Sequence, residues 1–336
     1  MSDVLLRVDD LKVHFPLRKR SLFELPQTVR AVDGVSFSVR RGSTFGIVGE
    51  SGSGKTTTAL AILRLVNITS GQVDLAGEVF SALQGEKLRT ARRRMQIIFQ
   101  DPYSSLNPRM RAGAIVREPM QRMAIGTGAE RDERVRSLFE QVGLRADQAQ
   151  LFPHQFSGGQ RQRIGIARAL ATKPEVVVCD EPVSALDVAI QAQILNLLGS
   201  LQAQFGLTYL FISHDLGVVQ YLCDEIAVMY LGRIVEYSTR EALFEDPLHP
   251  YTWALLSAVP RMGRRRKGGG ARLRLEGDPP SPINPPPGCR FSARCPFAEE
   301  RCRSEEPTLR EIRPGQRVAC HLVRGDGTVP HRPAIL

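Results

Sequence analysis

The chain has 336 residues, of which 42% are hydrophobic and 24% charged, with a formal net charge of +10. That length excludes a single small binding module and fits two domains, or one large domain with an appendage. The composition excludes a disordered chain. No apolar run approaches the ~20 residues of a spanning helix, and the start MSDVLLRVDD is acidic where a secretion signal would be basic, so a soluble cytosolic protein is expected.

The charge is unevenly placed. Residues 1–258 hold 29 Lys+Arg against 27 Asp+Glu, a net +2, whereas residues 259–336 hold 16 against 8, a net +8. The basic excess would by itself suggest nucleic acid or an anionic membrane as partner, but it belongs to the tail. The tail also carries 12 of the 22 prolines and four of the six cysteines. A domain boundary is therefore expected near Pro260, with Arg264, Arg265, Arg266, Lys267 and Gly268 to Gly270 as a flexible basic linker.

In chain order, the first informative segment is STFGIVGESGSGKTTTALAILRLV, residues 43–66. A short β-rich run from Thr44 to Val48 enters a glycine-rich turn, and a helical stretch follows with Leu60, Leu63 and Leu65 on its apolar side. Gly49, Glu50, Ser51, Gly52, Ser53, Gly54, Lys55 and Thr56 fit G-x-x-x-x-G-K-[ST], and Thr57 continues into the helix. The glycines let successive backbone N–H groups and the helix start converge on one anion. Lys55 would reach the β- and γ-phosphates of a nucleotide, and the Thr56 hydroxyl would ligate Mg²⁺.

Next comes Phe156, Ser157, Gly158, Gly159 and Gln160, leading into RQRIGIARAL. A serine before two glycines at a helix start is a second anion site, and one nucleotide has no need of two, so the pair makes sense across a dimer. Val176 to Cys179 then form an unbroken apolar run ending in Asp180 and Glu181. Such a run suits a parallel strand covered on both faces, with ligand groups at its carboxyl end. Asp180 suits the second acid of a Mg²⁺ site and Glu181 the base that orients an attacking water; the alternative is that both merely cap the next helix. A further strand, Tyr209 to Ile212, ends in Ser213, His214 and Asp215, bringing a histidine to the same kind of strand end.

On these motifs the chain resembles the ABC-type ATPases. FSGGQ is similar to their LSGGQ signature, with Phe156 in place of the leucine. The resemblance covers residues 4 to about 258. It implies an α/β P-loop ATPase with a helical subdomain at about 101–165, an N-terminal antiparallel β portion and a small Cys-rich C-terminal extension over 259–336. It further implies two such domains closing head to tail, the signature of one facing the ATP on the other's phosphate loop. Gln100, after MQIIF, matches the Q-loop glutamine that senses Mg²⁺ and water and contacts membrane subunits. Asp187 in SALD matches the D-loop aspartate, and His214 the switch histidine that contacts the γ-phosphate. Phe15 lies where the family often stacks an aromatic on adenine, with Phe23 a neighbouring candidate.

QDPYSSLNPR (100–109), HPYTWALLSAVP (249–260) and PPSPINPPPGCRFSARCP (279–296) resemble the dipeptide, oligopeptide and nickel importer ATPases, and NPPPGC leans towards the F-type subunit of a peptide permease. That resemblance implies a D-type paralogue as heterodimer partner, two permeases, a solute-binding receptor reached indirectly, and a peripheral place on the cytoplasmic face of the inner membrane. No nucleic-acid partner is expected, because one motif set without a long coiled-coil insert departs from the repair and translation branches of the family. A nickel importer stays open on the same residues, whereas the intact Glu181 and His214 argue against a degenerate regulatory subunit.

Cys179 and Cys223 fall in apolar elements and read as small buried residues. Cys289, Cys295, Cys302 and Cys320 form C-x₅-C-x₆-C-x₁₇-C. Four thiolates could hold a [4Fe–4S] cluster or Zn²⁺, either of which would staple a proline-rich segment too poor in apolar residues to fold firmly alone. The wide gaps favour the cluster over zinc, with free thiols as the third possibility.

Overall fold

The computed structural model describes residues 3–17, 27–258 and 277–329. The basic linker and Phe23 lie outside the described residues. The chain forms two compact units, each assembled from separate stretches: one from residues up to 6, 39–44 and 74–212, the other from 7–38, 45–73 and 213 onward.

In the first unit, strand Val176–Asp180 is buried at every residue, as its unbroken apolar run requires. It pairs in parallel with Met95–Ile98 on one side, Met95 opposite Val176, and with Thr208–Ser213 on the other, Asp180 opposite Ile212. The parallel register puts the carboxyl ends of the strands on one edge. Helix Val188–Phe205 returns the chain between two of them and stops at Gly206, whose left-handed φ of 64° closes the C-cap. Helices Ala112–Arg122, Gly128–Gln141 and Gly158–Leu170 pack on one another. The second starts at a capping box in which the Thr127 N–H donates to the Glu130 carboxylate at 2.6 Å.

In the second unit, strand Thr44–Val48 runs parallel to Glu225–Tyr230, with Val48 opposite Val228. A tight turn at Leu231 and Gly232, both at positive φ, returns the chain antiparallel as Arg233–Thr239. The helix after the glycine-rich loop is shorter than expected: it covers Lys55–Ile62 and ends before Arg64, which has φ 57°, so Leu63 is buried but Leu65 is 50% exposed.

The tail extends the same sheet. Gln316–Val318 pairs antiparallel with Arg233–Thr239, Val318 opposite Glu236, and Arg310–Arg313 pairs with Gln316–Val318. Val318, Cys320, Leu322 and Val323 share an apolar cluster with Leu248. The segment is thus held by backbone pairing and packing, where its composition had suggested a need for a metal staple.

Glu236 is fully buried, and its carboxylate accepts from the N–H groups of Leu248 and His249 at 2.7 and 2.9 Å, satisfying donors at the approach to helix Pro250–Ala258. His249 is buried as well, and its Nδ1 accepts from the Tyr251 N–H at 3.0 Å. Burial pushes its pKa down to about 3, so it is neutral when folded and charges only on unfolding. Between the unfolded value of about 6.5 and the folded one, the unfolded state binds more protons, so stability falls as pH falls through that window, by up to about 1.4 kcal/mol per pH unit from this group. His249→Asn keeps an acceptor for the Tyr251 N–H and removes the titration. Its unfolding free energy, measured by urea titration from pH 7 to pH 5, is expected to decline less steeply than that of the wild type.

Candidate functional site

The glycine-rich loop belongs to the second unit. Two of its glycines are demanded by close backbone approach: a Cβ on Gly49 would lie 2.1 Å from the Met229 carbonyl oxygen, and one on Gly54, at φ 103°, would lie 2.2 Å from that of Ala31. Lys55 is 5% exposed, and its ammonium donates to the Gly49 and Glu50 carbonyls at 2.8 Å each. The loop is thereby curled around the lysine, with the helix Lys55–Ile62 starting at that residue. Ser51, Gly52 and Thr56 are exposed, while Ser53 is buried and Thr57 half-buried. A cation, loop amides and a helix start in one place form an anion cradle, and the Thr56 hydroxyl beside it is a hard oxygen of the kind Mg²⁺ takes.

Two residues bound to this loop carry no role in the sequence analysis. The Tyr251 hydroxyl accepts from the Glu50 N–H at 2.8 Å, and the Arg294 guanidinium bonds both Glu50 carboxylate oxygens at 2.7 and 3.2 Å. Both lie in segments that carry the family resemblance, HPYTWALLSAVP and CRFSARC, and nothing else in the sequence marks them.

His214 follows strand Thr208–Ser213 and is exposed. The turn that presents it is fixed by its neighbours: the Asp215 N–H donates to Ser213 Oγ at 2.9 Å, and the Asp215 carboxylate accepts from the Gly217 N–H at 2.7 Å. Phe15, near the end of strand Val4–Pro16, is 40% exposed.

In the first unit, Asp180 ends its strand and is 4% exposed. Glu181 has φ 45°, a left-handed conformation that costs a non-glycine residue of order 1 kcal/mol and is concentrated at functional positions. Its N–H donates to the Ile212 carbonyl at 2.9 Å, and its Oε2 accepts from Gln100 Nε2 at 2.8 Å. Two residues singled out separately in the sequence are thus brought together, 81 positions apart. Neither acid caps the next helix. That position is held by Asp187, whose carboxylate accepts from the Ile190 N–H at 3.0 Å at the start of Val188–Phe205.

Ser157 caps helix Gly158–Leu170: its Oγ accepts from the Gln160 N–H at 3.3 Å, and Gln160 Oε1 accepts from the Ser157 N–H at 3.0 Å. Ser157 is exposed, Gly158 half-buried, and Phe156 only 4% exposed. The phenylalanine is buried while the serine at the helix start is exposed, so its exchange for the leucine of the signature leaves the exposed serine and the cap it forms unchanged. A Cβ on Gly159 would sit 2.6 Å from Ile190 Cγ2, so the glycine also seats this helix.

Cys179 is fully buried, and Cys223 Sγ would lie 2.9 Å from a Cβ on Gly46, so both act as small packing residues. The expectation for the other four is corrected in part. Among the described residues no three His, Cys, Asp or Glu side chains converge in an arrangement able to hold a metal ion, so Cys289, Cys295, Cys302 and Cys320 do not form a finished cage. They are nonetheless neighbours. The Cys289 N–H donates to the Cys302 carbonyl at 2.8 Å, and Cys295 is close enough to feel both Cys289 and Cys302, as Cys320 feels Cys289 and Cys295. Burial pushes the Cys295 thiol up to about 11 and that of Cys320 up to about 12, as expected of thiols without a cation to stabilise their thiolates.

Comparison with known proteins agrees with these parts. The ABC transporter family matches residues 32–184, and the oligopeptide/dipeptide transporter C-terminal region matches residues 235–302. The oligopeptide transport ATP-binding protein AppF of Bacillus subtilis is 49% identical over 322 residues, covering 96% of this chain and 98% of that protein. Among solved structures, the dimeric ATP-binding cassette MJ0796 in a post-hydrolysis state bound to ADP and Pi is 27% identical, with a TM-score of 0.62 over 70% of this chain and 99% of that one. Clostridium perfringens cbiO1, part of the ABC transporter complex cbiONQ, is 25% identical, with a TM-score of 0.63 over 73% and 92%. With an anion cradle in one unit, a strained glutamate held by a glutamine in the other and full-length similarity to such a relative, the chain belongs to the ATP-hydrolysing ABC transporter ATP-binding proteins that carry the oligopeptide/dipeptide transporter C-terminal region.

Proposed function

We propose that this chain is the energy-coupling ATPase subunit of an importer of dipeptides or oligopeptides. Peptide cargo is supported by the C-terminal region matched at residues 235–302 and by the name of the Bacillus relative. The hydrolytic role rests on one observation above all: Glu181, strained and hydrogen-bonded to Gln100, stands at the carboxyl end of a buried parallel strand. In this reading Glu181 orients and deprotonates the attacking water, and His214 contacts the γ-phosphate. Lys55 and amides of the glycine-rich loop other than that of Glu50 hold the phosphates, and Phe15 stacks on adenine. Thr56 in one unit, and Gln100 and Asp180 in the other, are the residues that the family resemblance would assign to Mg²⁺, which would supply neutralisation of phosphate charge. Catalysis is then mostly positioning and charge stabilisation.

The arrangement of partners belongs to the same reading. The exposed Ser157, with Gly158, Gly159 and Gln160 at a helix start, and Asp187 would complete the ATP site of a sister subunit. In the domain organisation proposed, the ATPase spans residues 1–258, with a helical subdomain at about 101–165, and the extension spans 259–336. As an F-type subunit the chain pairs with a D-type paralogue and two permeases at the cytoplasmic face of the membrane. No helix of the described residues is long and apolar enough to cross a membrane, so attachment in this reading is through the permeases. For the tail, the C-x₅-C-x₆-C-x₁₇-C spacing is the ground for proposing a metal site, an iron–sulfur cluster ahead of zinc, whereas among the described residues no three such side chains converge on one point.

Glu181→Gln is expected to lower ATP turnover in the assembled transporter at least about 100-fold while leaving ATP affinity within a few-fold, because general-base catalysis contributes 10²–10⁴. Phosphate release and nucleotide binding, measured side by side, check it. Ser157→Arg, which puts a bulky cation at the helix start, should cut turnover in the heterodimer while this chain's own nucleotide binding stays unchanged; wild-type turnover would sink the shared-site reading. Purified anaerobically, the protein is expected to carry about four iron and four sulfide per chain. One zinc would replace the cluster, and no metal with four readily alkylated thiols would end the metal proposal.

A further inference from the structure

The tail reaches the phosphate loop through one side chain. Phe291 is buried among Tyr230, Tyr251 and His249, with ring centroids 5.3, 5.4 and 5.7 Å away. This packing fixes the turn in which the Arg294 N–H donates to the Phe291 carbonyl at 3.0 Å. From that turn the Arg294 side chain, only 8% exposed, passes the Tyr230 ring and forms the two-pronged pair with Glu50. Glu50 follows Gly49 in the loop, and every polar group of this residue is bound. Its N–H is held by the Tyr251 hydroxyl, its carboxylate by Arg294, and its carbonyl by the Lys55 ammonium.

The geometry points to Arg294 as a positioning residue for nucleotide binding: through Glu50 it sets the shape of the phosphate loop before ATP arrives. A flexible loop must lose conformational freedom when it wraps a phosphate, and a loop already fixed at its second residue loses less. A planar guanidinium bonded to both carboxylate oxygens fixes orientation as well as distance, which a lysine ammonium does not. Because the Arg294 side chain is only 8% exposed, removing Glu50's charge leaves the guanidinium without compensation, whereas Glu50, at 29%, stays partly in contact with water. The arginine lies in the Cys-rich tail, next to Cys295, so the extension takes part in the ATP site from a distance of 244 residues along the chain. This inference rests on the loop between Gly49 and Thr56 being the nucleotide site, and it assigns to that site a part from outside the ATPase motifs.

The test is ATP affinity of the full-length chain, read by fluorescent-nucleotide titration, with thermal unfolding as a control for folding. Lys55→Ala tests the loop itself and should abolish binding. Arg294→Ala should raise the Kd for ATP roughly tenfold, Arg294→Lys should restore part of that loss, and Glu50→Gln should weaken binding to a similar degree. Combining Arg294→Ala with Glu50→Gln should cost little more than either change alone, because both break one interaction. In turnover by the assembled transporter, the Arg294 change should fall mainly on KM and leave kcat largely in place. If Lys55→Ala abolishes binding while Arg294→Ala and Glu50→Gln both bind ATP as the wild type does, the positioning role is refuted and the loop assignment stands. Additive losses from Arg294 and Glu50 would also refute it, since they indicate two unrelated effects. Wild-type binding by Lys55→Ala would overturn the loop assignment and this inference with it. Should Arg294→Ala fail to fold, Glu50→Gln and Arg294→Lys carry the same comparison.

Discussion

The second unit depends on the way the phosphate loop is forced to curl. The Lys55 ammonium is held by two carbonyls of its own loop, and backbone from elsewhere in that unit presses so closely on Gly49 and Gly54 that neither tolerates a side chain. A buried ammonium needs such partners, since burying it unpaired would cost far more than an ordinary hydrogen bond returns. The strand Thr44–Val48 that feeds the loop, the neighbouring Glu225–Tyr230 whose Met229 carbonyl limits Gly49, and the Tyr251 hydroxyl on the Glu50 N–H all follow from holding that curl.

The first unit solves a different problem. Its parallel strands deliver Asp180 and Glu181 to one edge, and the left-handed backbone at Glu181 is tolerated because its N–H is tied to Ile212 and its carboxylate to Gln100. Strain of this kind persists only where the surroundings over-determine it. Asp187, rather than either of the two acids, caps the helix that follows.

The basic tail finds its use inside the molecule. Arg290 pairs with the buried Asp33, Arg294 with Glu50 and Arg313 with Asp246. Burial pushes the Asp33 carboxyl up, but the hydrogen bonds from Arg290 and His14 outweigh it and hold its pKa below the usual carboxylate value. Part of an excess of charge that suggests an external anion is thus directed at acids of the same unit.

The sequence alone determined the elements whose chemistry is local. A phosphate loop is legible because its glycines, lysine and threonine act within eight residues, and the buried strand before Asp180 and Glu181 because parallel strands covered on both faces must be apolar throughout. The signature turn is legible for the same reason: its serine, glycines and glutamine cap the helix they begin. Only the tertiary structure decided what depends on residues far apart in the chain. It joined Gln100 to Glu181, gave Asp187 rather than its acidic neighbours the cap, and ended the first helix before Leu65. It placed the tail's strands on the sheet, brought the four cysteines near one another without closing a cage, and set Arg294 on the phosphate loop. None of these could be read from spacing, because a contact across tens or hundreds of residues is fixed by strand order and packing, and a linear pattern carries no record of either.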